Sequence, residues 1–125
     1  MPIDSREHTR SALAAVATDV CCLILFAAIG RRSHAEGVDL TGVAATAWPF
    51  LAGAGAGWAL SLGWRRPYAL LPTGIAVWVC TIVVGMLLRK LTSAGVAPSF
   101  VVVASISTAV LLLGWRAAIL VMTRR

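Results

Sequence analysis

Four long apolar stretches, each closed by a pair of basic residues, leave this chain few folds to adopt. The pairs are Arg31-Arg32, Arg65-Arg66, Arg89-Lys90 and Arg124-Arg125, and the runs before them carry almost no charge. A bilayer core about 30 Å thick is crossed by roughly 20 apolar helical residues. Spans are accordingly expected near residues 11–30, 40–64, 72–88 and 98–118. The third is expected to begin at Pro72, since proline suits the first position of a helix. The fourth is expected to run past Arg116, whose long stem lets its charge snorkel to the interface. The apolar runs are continuous rather than alternating, which disfavours a β-barrel. The predicted fold is all-α: a polytopic integral membrane four-helix bundle in which short loops make successive helices antiparallel neighbours.

Composition agrees. Hydrophobic residues make up 59% and charged residues 13% of 125, against about 45–50% and about 25% in soluble domains. Three cysteines within apolar stretches do not make a disulfide framework. The formal net charge of +6 is spread over span boundaries, where cations meet headgroups, instead of being gathered on one face as nucleic-acid binding requires. The lipid bilayer is therefore an expected partner and nucleic acid is not. Lys and Arg number seven on the side of the termini and four on the other, so both termini are expected in the cytoplasm. Arg6 and Arg10 before an apolar run also fit a secretory signal, but the run is long for a signal core and carries Asp19. It is read as a retained span.

Asp19 is the costly residue, since a carboxylate at bilayer depth is opposed by about 2.5–3.5 kcal/mol. Two readings stand. Either Asp19 is a proton- or cation-responsive group that loads and unloads with a conformational change, or it is an interhelical anchor held by a hydroxyl or by an arginine near a neighbouring helix end. Ala12, Ala15, Asp19, Cys22, Phe26 and Gly30 share one helical stripe, mostly small and therefore expected against protein. Beyond it, His34 is the second candidate for titration, and Arg31 and Arg32 are candidates for an anion or lipid headgroup.

Pro49 inside the second span predicts a kink. Gly53 and Gly57 form a small-xxx-small pair suited to close helix contact; with Gly30 and Gly85 they are the expected packing or hinge positions. Ser105, Ser107, Thr108 and Thr81 either line a polar path or bond their own helix. The cysteines behave as small hydrophobes, and the tryptophans are expected in interfacial belts or packing. No metal site, cofactor, nucleophile–base pair or phosphate loop is recognised, so no enzyme is predicted. Leu62-Gly63-Trp64-Arg65 recurs as Leu113-Gly114-Trp115-Arg116, and Gly30-Arg31-Arg32 lines up with Leu88-Arg89-Lys90. The echo marks either two parallel-related hairpins or the common vocabulary of membrane interfaces.

The run Asp19 to His34, with Asp19, Phe26, Gly30, Arg31, Ser33 and His34 as its distinctive members, resembles the first-helix signature of a small membrane family catalogued as a domain of unknown function. That family occurs in high-GC Gram-positive bacteria and salt-loving archaea. Trp48-Pro49-Phe50 and the stretch from Gly85 to Arg89 support the resemblance, which implies four helices and a plasma-membrane location but no activity. The layout is also similar to small multidrug-resistance exporters, which carry Glu in the first helix where this chain has Asp19. It is similar in size to the dual-topology fluoride channels, whose Asn and Phe-box residues are not visible here. The functional expectation is an oligomeric transporter or channel-like protein built on Asp19. The alternative is a non-transporting accessory subunit or lipid-binding scaffold. Four short helices enclose little volume, so a homo-oligomer or a membrane-protein partner is expected.

Overall fold

The computed structural model describes residues 5–33, 39–92 and 96–123. Four helices carry the fold: α1 (Ser5–Ser33), α2 (Leu40–Ser61), α3 (Ile75–Leu91) and α4 (Pro98–Thr123). A 3-10 turn at Gly63–Arg65 and a wide turn at Leu70–Gly74 connect α2 to α3. Among the described residues there is no strand. Four stretches, Thr9–Arg32, Leu40–Ser61, Leu70–Leu91 and Pro98–Thr123, are long and apolar enough to cross a bilayer. The protein is a multi-pass, all-helical membrane protein.

The boundaries differ from expectation where proline acts on its predecessor, because a residue before proline is pushed away from helical geometry. α2 stops at Ser61 rather than near residue 64. Arg66, preceding Pro67, sits at φ −140°, ψ 65°, and the chain has already left the helix at Leu62, which is left-handed at φ 53°, ψ 50°. Gly63 then passes beneath Trp58: a Cβ there would lie 2.5 Å from Cε3 of that ring. Pro72 does not start α3. Leu71 before it is extended (φ −120°, ψ 131°), the Gly74 N–H closes the wide turn on the Ala69 carbonyl at 2.9 Å, and regular α-helix begins at Ile75.

α2 and α3 are the most intimate pair, and the reason is the predicted small-residue motif. A Cβ on Gly53 would lie 2.5 Å from the Cys80 carbonyl oxygen, and one on Gly57 would lie 2.6 Å from the Val77 Cα. Only glycine lets the backbones come this close. Gly85 accommodates Phe50, whose Cδ1 would be 2.7 Å from an added Cβ. Gly30, placed in the same packing set from sequence, has nothing within 4 Å of an added Cβ, so it is not a close-contact position. Pro49 is buried inside α2.

The expected stripe of α1 does face protein: Ala15, Asp19 and Phe26 are buried, with Leu23 and Ala27 beside them. The three phenylalanines of the chain assemble in the interior from three helices. Phe26 meets Phe50 edge-on at 5.2 Å, Phe50 lies 6.3 Å from Phe100, and the Arg89 guanidinium of α3 stacks 4.4 Å above the Phe100 ring. Outward faces carry Leu13, Ile24, Val83, Ile106 and Val110, all exposed, as lipid-facing positions should be.

Candidate functional site

The other end of the core is polar. Asp19 on α1 and Arg116 on α4 are both buried, with side chains 2% and 0% exposed. They meet in a two-pronged ion pair: Arg116 Nη1 donates to Oδ1 at 2.9 Å and Nη2 donates to Oδ2 at 2.7 Å. Paired N–H···O bonds of this kind are the strongest geometry available to a carboxylate. Each oxygen accepts one further bond from an indole, Trp115 Nε1 to Oδ1 at 2.9 Å and Trp58 Nε1 to Oδ2 at 2.9 Å. Indole nitrogen is a donor only, so a tryptophan can face a carboxylate in an apolar interior without leaving an acceptor stranded.

The arginine is equally occupied. Its Nε donates to the Pro67 carbonyl at 3.0 Å and its Nη1 also donates to the Leu112 carbonyl at 3.1 Å. The guanidinium lies 4.4 Å from the Trp115 ring, and Tyr68 packs edge-on against the same ring at 5.7 Å. Gly74 makes room for its stem, since a Cβ there would lie 3.0 Å from Arg116 Cδ. Three helices and the α2–α3 connection thus converge on one neutral cluster. Burying two charges is costly, and their attraction offsets that cost only when geometry is good and the remaining bonds are made; both conditions are met here.

This is a correction for Arg116, which does not snorkel to the interface but turns inward to Asp19. Depth explains it. Asp19 lies ten residues into its span from Thr9 and Arg116 seven residues before Thr123, about 15 Å and about 10 Å from those span limits at 1.5 Å per residue. The arginine stem spans the difference. Trp58 and Trp115, taken as belt or packing residues, are the remaining arms of the cluster. That a buried carboxylate needs donors, and that an indole nitrogen can only donate, is the signal that points to them.

The other sequence candidates lie elsewhere. His34 falls outside the described residues. Arg31, half-buried, donates from Nη1 to Thr46 Oγ1 at 3.2 Å and so ties α1 to α2, while Arg32 is exposed. Thr108 bonds back to the Ala104 carbonyl at 2.6 Å, and Trp78 Nε1 donates to the Ser105 carbonyl at 3.0 Å. Thr81 Oγ1 is buried without a partner. Cys22 Sγ lies 3.7 Å from the Leu111 carbonyl, and all three thiols are free. No group of three or more His, Cys, Asp or Glu suited to a metal occurs among the described residues.

No curated protein and no solved structure matches the chain. Residues 16–119, a stretch that contains Asp19, Trp58, Trp115 and Arg116, match the family model described as protein of unknown function DUF3054, and the chain belongs to that family.

Proposed function

We propose that this protein is a non-transporting helical scaffold of the plasma membrane, acting as an accessory subunit or lipid-binding partner, with Asp19 as the anchor that joins its first and last helices. One observation carries the reading. Both carboxylate oxygens of Asp19 accept two hydrogen bonds each from donors of the same chain. An exchange site for protons or cations works through an acid whose partners change during the cycle, whereas here a bidentate arginine and two indoles from three helices hold one acid together. Because Arg116 is spent on Asp19, it leaves the count of interfacial cations. The remaining bias, six against four, still favours both termini in the cytoplasm.

Asp19→Asn separates this reading from transport. In proteoliposomes the unmodified protein is expected to give no pH-dependent ion flux above empty liposomes. The variant is expected to lose thermal stability in detergent, along with any self-association or partner capture. A flux present in the unmodified protein and abolished in Asp19→Asn, with folding and assembly unchanged, would overturn the scaffold in favour of a transporter.

A further inference from the structure

All five acidic residues of the chain lie within its first 39 residues, whereas seven of its eleven basic residues lie beyond them. Arg116 finds its anion in Asp19. Arg65 and Arg66, on the connection between α2 and α3, have no ion-pair partner among the described residues. Both side chains are exposed, between the exposed Trp64 and Tyr68.

The backbone that presents them is firmly held. Arg65 N–H bonds the Leu62 carbonyl at 2.9 Å, Arg66 N–H the Gly63 carbonyl at 3.1 Å, and Ala69 N–H the Arg66 carbonyl at 3.2 Å. Thr73 Oγ1 donates to the same Arg66 carbonyl at 2.6 Å, and Arg116 Nε fastens the Pro67 carbonyl at 3.0 Å. The Gly63–Arg65 turn also packs against α1. Two exposed arginines on consecutive residues of a pre-ordered turn thus offer charge to a ligand with little backbone ordering entropy to oppose it. The turn joins two stretches long and apolar enough to cross a bilayer, and a connection between such spans belongs at the headgroup layer. Aromatic rings with one polar tip favour that layer, and guanidinium matches phosphate oxygens geometrically.

We infer that the turn from Trp64 to Tyr68 binds the phosphate of an anionic phospholipid, Arg65 and Arg66 supplying the charge and Trp64 and Tyr68 anchoring it at the interface. The site deepens the lipid-binding side of the scaffold reading; it does not rest on the Asp19 anchor and requires only that the helices span a bilayer.

The test uses the full-length protein in phosphatidylcholine nanodiscs doped with phosphatidylglycerol, with retained lipid read by native mass spectrometry. The unmodified protein is expected to retain phosphatidylglycerol over phosphatidylcholine. Arg65→Gln/Arg66→Gln is expected to lose that preference by about fivefold per arginine, with an unchanged unfolding temperature because neither side chain is buried. The control Lys90→Gln removes an exposed cation from the other end of the bundle and is expected to keep the preference. Equal loss in both variants, no preference in the unmodified protein, or displacement of the lipid by inorganic phosphate alone would each overturn the proposal.

Discussion

At 62–65 the tetrapeptide Leu-Gly-Trp-Arg follows the end of α2 and exposes all but its glycine; at 113–116 the same four residues run through α4, where the glycine is exposed and the arginine is buried. Leu62 is left-handed, whereas Leu113 is helical. Gly63 is pressed against the Trp58 ring, whereas Gly114 has nothing within 4 Å of an added Cβ. Trp64 is 47% exposed and Trp115 donates to Asp19. Arg65 is exposed and Arg116 is sealed in an ion pair. Four identical residues thus take four different roles. What separates them is context on two scales: Pro67 follows the first copy within two residues and bars a continuous helix through Arg66, and Asp19 faces the second from 97 residues away.

Each position of the pair can be broken separately. The largest contrast is expected at the arginines. Arg116→Ala strands a buried carboxylate and should cost about 3–5 kcal/mol, while Arg65→Ala should stay within about 0.5 kcal/mol, both read by denaturant unfolding in mixed micelles. If the cluster is an anchor, Asp19→Leu with Arg116→Leu should recover most of the loss, since apolar replacement of both partners is often neutral. At the tryptophans, Trp115→Phe removes a bond to a charged acceptor and should cost about 1.5–3 kcal/mol. Trp64→Phe, measured in the same way, should be nearly silent.

The glycines should reverse the direction. Gly63→Ala forces Trp58 away from Asp19 and should cost about 1–3 kcal/mol, with a change in tryptophan fluorescence. Gly114→Ala, in open helix, should gain about 0.5–1 kcal/mol. The leucines give the smallest effect. Leu62→Gly relieves a left-handed conformation that costs a branched residue about 1–2 kcal/mol, though backbone entropy offsets part of the gain. Leu113→Gly should lose about 1 kcal/mol. Thermal melts of the two glycine variants would check the opposite signs.

Much of the frame was legible in the chain. Span number and approximate limits follow from run length against bilayer thickness. The inward stripe of α1 and the Gly53–Gly57 contact follow from helical spacing and residue size. An arginine near a neighbouring helix end was one of the open partners for Asp19, yet Arg116 itself was read as snorkelling, because an arginine seven residues from a helix end satisfies both accounts equally. Trp58 and Trp115 were hidden for a similar reason: interfacial and buried indoles look alike until the acceptor is located. The aromatic cluster of Phe26, Phe50 and Phe100 escaped because its members are far apart in sequence and each is an ordinary membrane residue.

Local chemistry alone determined that this chain is four apolar helices with cations at their ends, since water and hydrocarbon sort residues by type without reference to partners. Through Pro67 it also barred α2 from continuing past Arg66, though not where before that it would stop. Only the assembled bundle decided which arginine is neutralised, which tryptophans become donors and which glycines bear weight. Those outcomes depend on distances of a few ångströms between segments on different helices, and a one-dimensional pattern does not hold them.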